Sequence, residues 1–141
     1  MRIKDFEHTT SRYPGYVPGS DFTASARTLA GLASTVIKAA PGLNLQWAVT
    51  SFKAFFTWNG LAAPTFQTID LDNGILALWE TEFGINNAVT SAGRSSDIVV
   101  FPSDDPILFG VNNPIRATTE AANAAGTAYD VRIKGYLVHV T

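Results

Sequence analysis

The sequence predicts an all-β domain of sandwich, jelly-roll or barrel type. Three observations predict it. Runs rich in Val, Ile, Thr, Phe and Trp alternate with polar residues at a period of two, as half-buried strands do. Clusters of Gly, Pro, Asn and Asp separate these runs at short spacing. The chain has 141 residues, the size of one common domain, which buries roughly two-thirds of the surface its unfolded chain exposes.

The first segment, 1–21, reads as an extended arm ahead of a β domain at 22–141. It contains Tyr13-Pro14-Gly15-Tyr16-Val17-Pro18-Gly19, which breaks any helix or central strand. Phe6, Tyr13, Tyr16 and Phe22 are spread along it, and a merely solvated tail tends to lack aromatic residues. Such rings dock either onto the chain's own body or onto a neighbouring subunit, and the low charge elsewhere favours the neighbour. Residues 22–40 mix signals. Phe22, Ala26, Leu29, Leu32, Ala33, Val36 and Ile37 fall at helix-like spacing, between a capping Asp21 and a stop at Pro41-Gly42. Gly31 and the β-branched Thr35-Val36-Ile37 oppose a helix, so a strand is expected over 34–40 with an irregular lead-in.

From Leu45 the strand signals sharpen. In 45–58, Phe52, Ala54, Phe56 and Trp58 share one parity, and Ser51, Lys53 and Thr57 the other. Asn59-Gly60 marks a turn. Residues 65–71 and 75–83 read as a hairpin about Asp72-Asn73-Gly74, since Asn and Gly tolerate positive φ. A polar loop follows over 84–93, then strands at 97–101 and 107–109 across Pro102-Ser103-Asp104-Asp105-Pro106. Asn112-Asn113-Pro114 turns the chain again, with a short strand near 115–119 and a loop of small residues to Gly126. A long strand over 129–140 closes the chain. Val131 and Ile133 face one side, Arg132 and Lys134 the other, Gly135 bulges or bends it, and Tyr136, Val138 and Val140 share a face. The total is about seven or eight strands, without internal repeats.

Composition excludes several functions. Cysteine is absent, which removes disulfides, thiolate nucleophiles and cysteine metal sites. The net charge of −2 and pI of about 5.5 argue against nucleic acid as a partner. Charged residues make up 16% of the chain, against roughly 25% in a typical soluble domain. That depletion suits a surface hidden in an assembly. The longest apolar run, Ile75-Leu76-Ala77-Leu78-Trp79, is far short of the ~20 residues a membrane span needs. The opening Met1-Arg2-Ile3-Lys4-Asp5-Phe6-Glu7-His8 has no apolar centre, so synthesis in the cytosol is expected.

No chemistry emerges from the residues. His8 and His139 are the only histidines, and neither accompanies a Gly-x-Ser-x-Gly elbow or a metal-ligand set. Asp70-Leu71-Asp72-Asn73-Gly74 resembles the start of a calcium loop, but its glycine comes one position early and Thr81 stands where the closing glutamate belongs. It reads as a solvated hairpin end. Glu80 and Glu82 point the same way from one strand and so do not form the facing pair glycoside hydrolysis needs. Asp104-Asp105 is turn chemistry. The expectation is no enzyme, no cofactor, no metal and no small-molecule substrate. Trp47, Trp58 and Trp79 lie within predicted strands, as core residues or, if exposed, as sugar-stacking rings.

The order of segments resembles the single jelly-roll proteins that decorate tailed-phage heads or form fibre and spike heads. The matching pieces are Ser34-Thr35-Val36-Ile37-Lys38-Ala39-Ala40, the strand-turn-strand Asp97-Ile98-Val99-Val100-Phe101 to Pro106-Ile107-Leu108-Phe109, and the ending Ala125-Gly126-Thr127-Ala128-Tyr129-Asp130-Val131-Arg132-Ile133-Lys134-Gly135-Tyr136-Leu137-Val138. It covers about 34–141. The resemblance implies a jelly roll with an N-terminal arm, a homotrimer, and a virion location on the capsid surface, bound to the major capsid protein as a decoration (cement) protein. Phe6, Tyr13, Tyr16 and Phe22 would be the arm's anchors. A glycan- or receptor-binding fibre head, using Trp47, Trp58 or Trp79, and a capsid or tail subunit are the alternatives.

Overall fold

A computed structural model describes residues 11–29, 33–58, 66–84, 93–119 and 127–140. Among these residues there are nine strands: β1 (Phe22–Leu29), β2 (Ser34–Lys38), β3 (Leu45–Trp58), β4 (Phe66–Asp72), β5 (Ala77–Gly84), β6 (Gly93–Val100), β7 (Ile107–Leu108), β8 (Ile115–Thr119) and β9 (Thr127–His139). They form two antiparallel sheets. Sheet I has the order β1-β9-β3-β6, with the short β7 also on β3, and sheet II has the order β2-β8-β4-β5. Only β4–β5 and β6–β7 follow one another within a sheet; every other connection crosses between sheets. This alternation, with the first strand at the edge of sheet I beside the last, is the double Greek key of a jelly roll.

The core lies between the sheets. Sheet I contributes Trp47, Val49, Phe52 and Ala54 from β3 and Tyr129, Val131 and Ile133 from β9. Sheet II contributes Ile69 and Leu71 from β4 and Ile115 and Ala117 from β8, and Phe109 closes the packing. Fully burying one such large side chain contributes about 1.5–3 kcal/mol.

The segment 22–29 is a strand, with one register shift between Ala26 and Leu29, where the sequence suggested an irregular lead-in. Its burial alternates cleanly, with Phe22, Ala24 and Ala26 turned inward and Thr23, Ser25 and Arg27 exposed. Two of the three inward residues are alanines, whose small apolar signal does not stand out against the helix-like spacing of the larger residues. Residues 34–38 form β2, two residues shorter than the strand expected over 34–40.

The buried parity of β3 changes partway. Trp47 and Val49 face the core, and so do Phe52 and Ala54, which a regular strand forbids. A bulge resolves the conflict: Val49 pairs with Gly135 and Ser51 with Lys134, leaving Thr50 as the extra residue. Gly135, expected to bulge, is thus the residue opposite a bulge carried by β3. A Cβ at position 135 would lie 2.1 Å from the Ala48 carbonyl oxygen, so only glycine permits this approach.

Residues 13–20 run along the flank of β9 beyond the end of β1. Tyr13-Pro14-Gly15-Tyr16 is a tight turn closed by Tyr16 N–H to Tyr13 O at 3.1 Å, with Gly15 at φ 94°, the form that places Pro before a positive-φ Gly. The N–H of His139 donates to Gly15 O at 2.7 Å, and that of Val17 to Leu137 O at 3.0 Å. A second turn, Val17-Pro18-Gly19-Ser20, closes at 3.1 Å, and the Ser20 hydroxyl accepts from Leu137 N–H at 2.9 Å. These bonds occupy edge groups of β9 that would otherwise be open to strand pairing.

Two outcomes test this scheme. Gly135→Ala should cost roughly 1–3 kcal/mol, read as a lower urea midpoint at unchanged slope. Burial pushes the Tyr129 hydroxyl up from 10.0 to about 12. The neutral form is therefore favoured in the fold, so this stabilisation is complete below pH 10 and lost as pH rises toward 12. Melting temperatures from pH 8 to 12 should fall less steeply for Tyr129→Phe than for the wild type.

Candidate interaction surface

The connections β2–β3, β4–β5 and β7–β8 emerge at one end of the sandwich and are bonded to one another. Gly42 N–H donates to the Asn112 side-chain oxygen at 3.0 Å, and Asn112 N–H to Leu45 O at 2.8 Å. Asn73 Nδ2 donates to Phe109 O at 3.1 Å, as does Asn113 Nδ2 at 3.0 Å. Asn44 and Asn112 hold positive φ values of 63° and 56°, which Asn tolerates better than most residues. The C-terminal end of β9 joins the same end through Val140 N–H to Asn44 O at 2.7 Å.

The β4–β5 tip is held from within. Asn73 Oδ1 accepts from the N–H groups of both Ile75 and Leu76 at 2.9 Å, and Asp72 Oδ1 accepts from Gly74 N–H at 2.8 Å. Asp72 also accepts from Arg116 Nε at 2.7 Å and from the Thr118 hydroxyl at 2.6 Å. Asp70, Asp72 and Asn73 are all buried. The solvated hairpin end expected from the sequence is therefore a buried polar network. Arg116 and Thr118 arrive from β8, a neighbour that the local sequence of the turn does not reveal.

This network presents apolar side chains to solvent. Leu43 is 79% exposed, Ile75 76%, Leu76 55% and Val111 47%. Four large apolar residues on three mutually bonded loops form an unusual surface for a lone soluble domain. Because the loops are bonded in place, a partner would pay little ordering entropy on docking. Ile75 and Leu76, assigned to a strand by the sequence, instead form the tip between β4 and β5.

The expected arm anchors have the following positions. Phe6 lies outside the described residues. Tyr13 and Tyr16 pack on a second, smaller cluster of Ala48, Tyr136 and Val138 on the outer side of sheet I. Tyr16 meets Tyr136 edge-on at 5.1 Å, and the Tyr136 hydroxyl accepts from Tyr13 N–H at 2.8 Å while donating to Ser103 O. Phe22 opens β1 and packs edge-on against Trp47 at 5.0 Å. These three rings dock onto this chain's own body, where the sequence favoured a neighbour; the outward face of Tyr136 and Val138 supplies the receiving surface. Both tyrosines stay half-exposed.

The tryptophans divide. Trp47 is in the core, its Nε1 donating to Ala39 O at 2.9 Å, so it is not available to stack a sugar. Trp79 is half-buried against Phe101 at 5.6 Å, and the Trp58 side chain lies outside the described residues. Among the described residues, no group of three His, Cys, Asp or Glu is placed to hold a metal, and no helix is long and apolar enough to cross a membrane. His139 is exposed at the end of β9.

No family model matches the chain, and no curated protein matches it. Among solved structures, it is similar to a chain of the acid-stable capsid of Helicobacter pylori bacteriophage KHP30, at 12% identity and a TM-score of 0.49, covering 89% of this chain and 96% of that one. A second similarity is to latent PorU of Porphyromonas gingivalis, at 10% identity and a TM-score of 0.43, over 92% of this chain and 14% of that one. A third is to the virus-like particle of the extra small virus of the prawn Macrobrachium rosenbergii, at 13% identity and a TM-score of 0.35, over 88% and 82% of the two chains.

The tip depends on one side chain. Asn73→Ala should cost roughly 1–3 kcal/mol by leaving buried backbone groups unpaired, whereas Leu76→Ser should change stability by less than about 0.5 kcal/mol. Thermal melts of the two variants check both outcomes.

Proposed function

We propose that this chain is a non-enzymatic structural virion protein that works by packing against other protein chains. In its finer form it is a decoration or cement protein, a homotrimer bound to the major capsid protein on the outside of a tailed-phage head. The observation that carries this reading is the loop end, where Leu43, Ile75, Leu76 and Val111 are held out by bonded loops. The lightly charged surface supports it, because interface cores are depleted of charge. Burying such side chains gains about 25 cal/mol per Å², and many copies on one shell add avidity without new contacts. Phe6, with the half-exposed faces of Tyr13 and Tyr16, would supplement this contact, while Phe22 supports the arm from within the body.

Light scattering after size exclusion, with electron microscopy of the same fractions, tests the reading. The wild type should form a discrete small oligomer, and it should co-sediment with emptied tailed-phage heads. Ile75→Asp/Leu76→Asp should keep its thermal melt and lose one or both associations. Closed particles formed by the isolated protein would reassign it as a shell-building subunit. A wild type that stays monomeric and ignores the heads would overturn the proposal.

A further inference from the structure

We propose that the outer face of sheet I is a docking surface for an extended acidic segment of a partner protein, with Lys53, Arg132 and Lys134 as its cationic contacts. This surface is separate from the loop end and does not depend on the virion reading. Strand register brings the cations together. Lys53 on β3 lies opposite Arg132 on β9, and Lys134 sits one pleat along, opposite Ser51. On the β1 side, Ser25 and Thr23 lie opposite Arg132 and Lys134. On the β6 side, Lys53 and Ser51 lie opposite Ile98 and Val100.

Like charges directly opposite one another on a sheet are destabilising. Here both cations of the Lys53–Arg132 pair lie over the Phe55 ring, at 4.7 and 5.5 Å from its centroid, which relieves part of the repulsion. The ion pairs Arg12–Asp21 and Arg116–Asp72 leave Lys53, Arg132 and Lys134 out. Asp130, opposite Phe55, is an acidic residue bordering the patch. In a chain of net charge −2, this concentration of positive charge on one face is a local feature.

The face is also shaped. A groove of about 300 Å³ is lined by Thr23, Ser51, Lys53, Ile98, Arg132 and Lys134. Through Thr23 and Lys134 it adjoins a cleft of about 310 Å³ that ends at Arg12, Ser103 and Tyr136. Asp21 also lines that cleft, where it is paired with Arg12 at 3.2 Å. The cations and hydroxyls that would receive carboxylates of an extended chain are therefore those of the groove, Thr23, Ser51, Lys53, Arg132 and Lys134. Ile98 and Val100, 56% and 70% exposed, offer apolar contact along one border, which suits a protein segment. Phe55 is buried beneath its cations, so it offers no open ring for base stacking.

Fluorescence anisotropy with labelled poly-L-glutamate, at low salt and again near 0.2 M, tests the proposal. The wild type should bind, and more weakly at the higher salt, where exposed charges are screened within ~10 Å. Arg132→Gln/Lys134→Gln should weaken binding at least about tenfold, and adding Lys53→Gln should weaken it further. Lys38→Gln, which removes a cation from sheet II, should leave binding unchanged. Arg132 and Lys134 are exposed, so the double variant keeps its thermal melt even if loss of Lys53 disturbs Phe55. Failure to bind poly-L-glutamate, or binding indifferent to these substitutions, would overturn the proposal. Tighter binding of oligothymidylate at the same salt, lost on the same substitutions, would also overturn it and assign the face to nucleic acid.

Discussion

The pairing of β3 with β9 is the constraint on which the rest of the structure depends. These are the longest strands, with 14 and 13 residues, and their ladder runs from Leu45 opposite His139 to Trp58 opposite Thr127. Every other part of sheet I is added to one flank or the other: β1 and then residues 15–17 on β9, β6 and then β7 on β3. The ladder works only because β3 carries an extra residue at Thr50. Without it, either Trp47 and Val49 or Phe52 and Ala54 would face solvent, since a slip of one residue reverses every side chain. The bulge in turn requires a residue without a Cβ at Gly135. Its effects reach further: Phe101 N–H bonds to Thr50 O at 2.8 Å, where the strand opposite β3 breaks between β6 and β7.

The same ladder explains why residues 13–20 pack on the body. Beyond Gly135, β9 is apolar on both faces. Leu137 packs toward the main core, and Tyr136 and Val138 form the outer cluster. A strand apolar on both faces needs cover on both. Tyr13 and Tyr16 supply the second cover, and Arg12 adds a cation 5.2 Å from the Tyr16 ring centre and 5.5 Å from that of Tyr136. Toward the other end of β9, the outward positions carry Arg132 and Lys134, which are exposed among the described residues. One strand thus divides the outer face of sheet I into a roofed apolar half and an open basic half. The apolar loop end is a third kind of surface, fixed by asparagine side chains that bond to backbone groups in neighbouring loops.

The strands from β3 onward were legible because a pleated strand with one buried face writes its burial into alternate residues. Phe52 and Ala54, and Val131 and Ile133, are core residues in the expected phase, and Ile69 and Leu71 alternate into the core from a strand that was expected. β1 was not legible, because alanines fill the inward positions and leave no contrast. The candidate surface was legible only in part. Low charge and an aromatic arm pointed to docking, but Ile75 and Leu76 looked like strand residues, and nothing local told whether Tyr13 and Tyr16 faced this body or another. Asp72 looked solvated because Arg116 and Thr118, which bury it, lie more than forty residues away along the chain.

The sequence by itself determined the all-β class, the long closing strand, the turns at Asn and Gly, and the absence of cysteine. These are local properties, set by alternation, by tolerated backbone angles and by the residue types present. Tertiary structure alone decided the partition into two sheets, the bulge at Thr50, the placement of the arm's rings, and the gathering of Lys53, Arg132 and Lys134 on one face. Each depends on which strand lies beside which and in what register, and that is a property of pairs of segments far apart in the chain.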